Sequence, residues 1–219
     1  MSSIAALSRY RWTLPILAQL ARTGGSRFVP LAAALGLSRD ALRQTLDALI
    51  DAGFVMANPG YGHPMRPEYI LTVRGRHVAP ASRRLVEYLR RSGLADVALK
   101  KWSLPTVAAL SAERRYGELR RTIGATTRAL TLALKDLVAA GVVARRVHDG
   151  FPPSTTYRLT ARGRALRNHV ARLEAALEDG ALSATDVPVA QGGGRLRRQD
   201  LGVEQLVERH GGEGRLVLE

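Results

Sequence analysis

The chain has 219 residues, 33 basic against 19 acidic, for a net charge of +14 and a pI near 11.2. At 46% hydrophobic and 24% charged it has a globular composition, not a disordered one. It contains no cysteine, which excludes disulfides, thiol catalysis, thiol redox sensing and cysteine-ligated zinc. No run approaches the roughly eighteen apolar residues of a membrane span, and the N-terminus lacks a basic start followed by a long apolar run. No membrane association is expected, and the expected location is the cytoplasm.

Along the chain, the first predicted helix follows Trp12 in RWTLPILAQL, with Pro15 near its start, where a missing N–H is tolerated. A second spans residues 28–35 and stops at Gly36, a residue that tolerates the left-handed conformation of a helix C-terminus. Ser38 caps a third. Its Leu42, Leu46, Leu49 and Ile50 form one apolar stripe at helical spacing, and Gly53 closes it. Short strands at 55–57 and 68–71 flank NPGYGHPMRP and read as a hairpin. That loop carries Tyr61, His63 and Met65. It is an irregular exposed connection, with a stacking or minor-groove contact as the functional alternative. A helix follows at 77–91.

The same series then repeats. KWSLPTVAAL matches RWTLPILAQL, with Trp12, Leu14, Pro15 and Leu20 each 90 positions before its partner. After a turn two residues longer in the first copy, the offset becomes 88. It holds through Leu31/Leu119, Gly36/Gly124, Leu42/Leu130, Leu46/Leu134, Leu49/Leu137, Gly53/Gly141, Tyr69/Tyr157, Thr72/Thr160 and Gly75/Gly163. The second copy predicts helices at 116–123, after Thr126 (with Leu130, Leu134, Leu137 and Val138 inward) and at 164–178, and strands at 142–146 and 155–159. The domains expected are residues 1–93, 94–180 and a Gly-rich tail at 181–219 with one helical stretch near 203–209.

Thirty of the 33 basic residues are arginine, a bias that a GC-rich genome explains. It does not explain why acids fail to balance bases. Residues 9–93 carry a net +8, residues 94–180 carry +7 and the tail carries −1. Such a field favours polyanions, nucleic acid ahead of an anionic membrane surface.

Two helices joined by a glycine turn and followed by a hairpin make a winged helix-turn-helix. The expected fold is mainly α with small β-hairpin wings, an α+β chain of two tandem winged helix-turn-helix domains. One helix fits the major groove. Its positive N-terminus faces phosphates, the preceding helix crosses the backbone, and the wing reaches phosphates or the minor groove. A tri-helical interaction module without DNA is the alternative; the charge of each copy favours double-stranded DNA as partner.

Copy two reads KWSLPTV, RRYGELRRTIGATTRALTLALKDLVAAGVVARR and FPPSTTYRLTARGRAL. Copy one reads RWTLPIL, RFVPLAAALGLSRDALRQTLDALIDAGFV and EYILTVRGR. With its basic-Trp start, leucine frame, xxAG ending and Tyr-x-Leu-Thr-x-x-Gly, the unit resembles the HxlR-type family of bacterial winged-helix transcriptional regulators. The resemblance spans about 9–93 and 97–178. It implies a sequence-specific regulator, a repressor more than an activator. Family members pair as dimers, so it also implies an intrachain pseudo-dimer, or a homodimer of such chains. The bridge would be the helix at 77–91 and the start of copy two, with recognition helices roughly 34 Å apart.

In copy two, Thr126, Thr127, Arg128, Thr131 and Lys135 are the expected DNA contacts on the third helix. Arg128 is the candidate for a bidentate contact. Arg120 and Arg121 before it, and Arg145 and Arg146 at the wing, extend the basic surface. Copy one places Ala32 and Ala33 where copy two has Arg120 and Arg121, and Asp40 and Asp47 where it has Arg128 and Lys135. Its remaining candidates are Ser38, Arg39, Arg43 and Gln44. Copy two is expected to dominate affinity. Trp12, Trp102, Tyr10 and Tyr88 are candidates to line a cavity between the copies for a small aromatic effector, against a plain packing role. No histidine sits in H-E-x-x-H and no phosphate-cradling P-loop is present, so neither metal, cofactor nor catalysis is expected. The alternatives to a specific regulator are a small-molecule binding or sequestering protein on the same scaffold and a non-specific architectural DNA binder.

Overall fold

In a computed structural model, which describes residues 3–58, 68–149 and 154–185, glycine stops and hydroxyl caps set many of the helix ends. Helix α1 (Ser3–Leu7) precedes α2 (Thr13–Thr23), whose N-cap is Trp12 and whose first turn holds Pro15. The short strand β1 (Ser26–Arg27) enters α3 (Phe28–Leu35), which stops at Gly36 in the left-handed region at φ 63°. Ser38 then caps α4 (Arg39–Asp51) by accepting from the Ala41 amide at 3.3 Å. Strands β2 (Val55–Asn58) and β3 (Glu68–Leu71) and the long helix α5 (Val73–Arg91) complete copy one.

Copy two repeats the order: α6 (Ala95–Ala98), α7 (Ser103–Ala109), β4 (Arg114–Arg115), α8 (Tyr116–Ile123), α9 (Thr127–Ala139), β5 (Val143–His148), β6 (Ser154–Leu159) and α10 (Ala161–Thr185). Thr126 caps α9 through the Ala129 amide at 3.3 Å. No described helix is long and apolar enough to cross a membrane.

Several expectations need correction. Each sheet has three antiparallel strands, ordered β1-β3-β2 and β4-β6-β5, not the two of a hairpin. Strands of two residues are too short to show an alternating pattern, so β1 and β4 were invisible. Helix α10 continues to Thr185, beyond the expected start of the tail. In the third helices, Ile50 and Val138 are 37% and 36% exposed, while Thr45 and Ala133 are buried. A residue eight positions after Leu42 is rotated about 80° away from it, which puts it at the edge of the stripe. Tyr61, His63, Met65 and the stretch at 203–209 lie outside the described residues.

The Thr-x-x-Gly after each wing has a clear physical role. The Thr72 hydroxyl donates to the Gly53 carbonyl at 2.6 Å and accepts from the Gly75 amide at 3.0 Å. Thr160 does the same with Gly141 at 2.7 Å and Gly163 at 3.1 Å. This capping pulls the first turn of α5 or α10 onto the chain entering the wing. A Cβ on Gly75 would lie 2.0 Å from the Phe54 carbonyl oxygen, and one on Gly163 would lie 2.1 Å from that of Val142. Only glycine fits there.

The described residues of both copies form one compact unit. Helices α5 and α10 pack antiparallel along its centre: Arg162 of α10 donates to the Ser92 carbonyl, Tyr88 stacks on His169, and His77 meets Gly180. The contacts obey a two-fold rule. Adding 88 to Arg74 gives Arg162, and adding 88 to Ser92 gives Gly180. Arg162 touches Ser92, and Arg74 neighbours Gly180, where an added Cβ would lie 3.7 Å from it. In such a pairing, residue i meets j and j meets i. The seam buries Leu85 and Leu89 of α5 and Leu166, Leu173 and Leu177 of α10 in one core with both heads. Each fully buried leucine contributes about 1.5–3 kcal/mol. The bridge is thus mainly α5 against α10, and the start of copy two adds to it: α1 rests on α7 and α10, and Arg11 pairs with Asp96 of α6.

Candidate nucleic-acid interface

Helix α9 buries Leu130, Ala133, Leu134 and Leu137. On a helix turning about 100° per residue, the ridge opposite that stripe is Arg128, Leu132, Lys135 and Ala139. All four are exposed, Leu132 at 51%. Helix α4 buries Leu42, Thr45, Leu46 and Leu49, and its opposite ridge is Asp40, Gln44, Asp47 and Asp51, also exposed. The same architectural position therefore presents two cations in copy two and three carboxylates in copy one.

The flanks differ as well. The Tyr116 hydroxyl of α8 donates to the Thr127 carbonyl at 3.0 Å and lies 3.1 Å from the Thr131 hydroxyl. Arg120 donates to the Thr127 hydroxyl at 3.2 Å. These bonds hold the first turn of α9 against α8 and place a guanidinium beside its positive end, an arrangement suited to a phosphate. Copy one has Phe28 and Ala32 at those positions and makes no such tie. Phe28 instead packs on Tyr69 at 6.5 Å. Burial pushes the Tyr69 phenol up, the nearby Asp47 carboxylate adds to that, and Arg43 opposes it. Arg39 and Arg43 are exposed on this flank.

At the second wing, Arg145 and Arg146 are neighbours on β5, so they point to opposite faces of the sheet. Arg146 stands opposite Thr156, and Thr156 stands opposite Arg115 of β4. Arg145 shares a row with Tyr157 and Arg114, on the face that turns Val143 and Leu159 into the core. The expected pair is thereby split. The outer basic row is Arg146 with Arg115, a residue that sequence reasoning missed because β4 was not foreseen.

Arg121, one residue on from Arg120, is turned away from α9 and lines a separate cleft of about 400 Å³ with Pro105 and Glu174. The four aromatic candidates do not share a cavity. Tyr10 and Trp102 line one groove, while Tyr88 is stacked on His169 at 4.5 Å and half-buried Trp12 caps α2 beside Arg11. Gln44 lines the groove of Tyr10 and Trp102 as well as standing on the α4 ridge.

Two arginines are structural. Arg74 and Arg162 donate to the Ala52 and Ala140 carbonyls at 2.8 and 3.1 Å, satisfying the exits of α4 and α9. Among the described residues, no cluster of acidic and histidine side chains is placed to hold a metal ion.

Comparison with known proteins agrees with this architecture. The model of the HxlR-like helix-turn-helix family matches residues 7–94 and again residues 97–181. The uncharacterized HTH-type transcriptional regulator sll1512 of Synechocystis sp. is 38% identical over 74 residues, 33% of this chain and 55% of its own length. The uncharacterized HTH-type transcriptional regulator YybR of Bacillus subtilis is 38% identical over 66 residues, 30% of this chain and 53% of its own. The chain spans about half the length of the curated relatives it matches. Among solved structures, the redox regulator HypR in its oxidized form is 33% identical, covering 41% of this chain and 95% of that one at a TM-score of 0.38. The two matches of one family model over most of the chain, on a fold whose halves obey a two-fold rule, establish that this chain belongs to the HxlR-like helix-turn-helix family and carries the family's unit twice.

Proposed function

We propose that the chain is a sequence-specific DNA-binding transcriptional regulator in which one polypeptide supplies both halves of a pseudo-dimer, residues 1–93 and 94–180. Copy two provides most of the affinity. The observation that carries this reading is the charge of the two ridges: Arg128, Leu132 and Lys135 on α9 against Asp40, Asp47 and Asp51 on α4. Arg128 and Lys135 can reach guanine edges or phosphates, and Leu132 can meet a thymine methyl. Arg120, Arg115 and Arg146 anchor the backbone on either side. The work is binding without a chemical step. Repression follows where the operator overlaps a promoter, in the compartment that holds the DNA.

The test is competition binding on the DNA upstream of the protein's own coding region, against random duplex, at about 150 mM salt. A preference of about a thousandfold is the expected result. Equal binding on both DNAs, collapsing with salt, would reduce the protein to a generic DNA holder.

A further inference from the structure

The groove beside α4 differs from its counterpart in copy two in a way that DNA binding does not require. In copy two, Lys100 reaches across to Asp136 of α9 at 2.7 Å, and Asp96 of α6 pairs with Arg11. The first bridge ties the end of the short leading helix to α9, and the second ties that helix to the start of α2 in copy one. The two-fold equivalents are Tyr10 for Lys100, Ala48 for Asp136 and Ala6 for Asp96, all in copy one, and Lys101 of copy two for Arg11. Each bridge has lost its acid, and one has exchanged its cation for an aromatic ring. Between α1, α4 and the start of α7 lies a groove of about 760 Å³. That volume lies within the range of small-molecule sites.

The groove is polarised. Its α4 wall carries the carboxylates of Asp47 and Asp51, and its other wall carries Arg9 and Lys101. Arg9 lies over the Tyr10 ring at 5.5 Å and Lys101 over the Trp102 ring at 5.0 Å. Among the described residues, Asp47 and Asp51 make no hydrogen bond or ion pair. Two acids thus face two cations across the groove without meeting, and the surface between them is aromatic and alanine. A ligand that satisfies all of these at once has a flat apolar body, an ammonium at one end and an anionic group at the other.

We propose that this groove binds a small aromatic zwitterion of the amino-acid type, its ammonium held by Asp47 and Asp51, its carboxylate by Arg9 and Lys101, and its ring beside Tyr10 and Trp102. The walls come from both copies, since Lys101 and Trp102 open the second. The site does not depend on the DNA-binding reading, because it is measured without DNA.

The test is calorimetric titration of the full chain with L-phenylalanine, phenethylamine and 3-phenylpropionate, which share a ring and differ in charge. Phenylalanine should bind, and each singly charged analogue should bind at least about tenfold more weakly. The double variant Asp47→Asn, Asp51→Asn should lower phenylalanine affinity by about tenfold without altering 3-phenylpropionate binding. A second variant, Tyr10→Lys with Ala48→Asp, rebuilds the copy-two bridge and should abolish binding while the circular dichroism melt still shows a folded chain. No heat with phenylalanine at millimolar concentration would overturn the proposal. So would 3-phenylpropionate binding as tightly, which would reflect only the chain's positive charge. An unchanged phenylalanine affinity in the Asn variant would also sink it.

Discussion

The two copies share a backbone plan and diverge in what they present. Their backbone-setting features coincide: hydroxyl caps at Ser38 and Thr126, left-handed stops at Gly36 and Gly124, the Thr-x-x-Gly clamp under each wing. Their exposed ridges do not: α4 is acidic and α9 is basic. Folding constrains the first set in both copies equally. Only contact with another molecule constrains the second, so the ridge is where a duplicated unit is free to change its work.

The largest expected effect tests the shared part. Gly75→Ala and Gly163→Ala each drive a methyl group into a backbone carbonyl at about 2 Å. Each should destabilise the chain by about 3 kcal/mol or more, read from denaturant midpoints. A mild loss in one copy alone would mean that the two clamps are not equivalent.

Next comes the ridge. Arg128→Ala should cost about 1–3 kcal/mol of specific DNA binding, and Arg43→Ala in α4 much less, compared in one competition assay. Equal losses would erase the proposed division of labour. Reversing the copy-one ridge, Asp40→Arg with Asp47→Lys, sharpens the same point. It should raise affinity for random duplex and steepen the slope of log K on log salt by about one to two.

Smaller still are the caps. Ser38→Ala and Thr126→Ala should each cost about 1 kcal/mol of stability, while only the second should also weaken DNA binding, because it loosens the start of α9. The least effect concerns pH. His169 lies at the seam against Tyr88, and burial, with Arg172 and Arg91 adding, holds its imidazole below the usual value. A base depressed in the folded state binds fewer protons there than in the unfolded chain. Its contribution is therefore full above about pH 6.5 and is lost as pH falls below that. His169→Phe should flatten the acid side of a stability–pH profile between about pH 7 and 5. Copy one offers Ala81 at the equivalent place, so no matching variant exists there.

Helix ends and the repeat were legible in the sequence because single residues encode them: Gly36, Ser38, Thr72 and their partners 88 positions on. The acids at Asp40 and Asp47 were legible for the same reason. Direction was harder to read. Arg120 and Arg121 look alike in the sequence, yet one turns to α9 and the other to a cleft with Glu174. Arg145 and Arg146 look like a pair until a strand alternates them. Arg115 was hidden because a two-residue strand has no period. A cavity between the copies was legible in part, since Tyr10 and Trp102 line the groove; its charged lining was not, because its signal is a set of missing partners, Ala6 and Ala48 in place of Asp96 and Asp136.

Helix α5 passes through Ser92–Leu94 into α6 within one continuous chain. Two separate subunits that pair to bind an operator come apart on dilution, and their occupancy falls with at least the square of their concentration once they do. Halves that meet across the α5–α10 seam are present to each other at an effective concentration set by the linker, whatever the number of molecules in the cell. A pair of this kind responds in proportion to its abundance. On the proposed function it also need not read a palindrome, since α4 and α9 present different ridges.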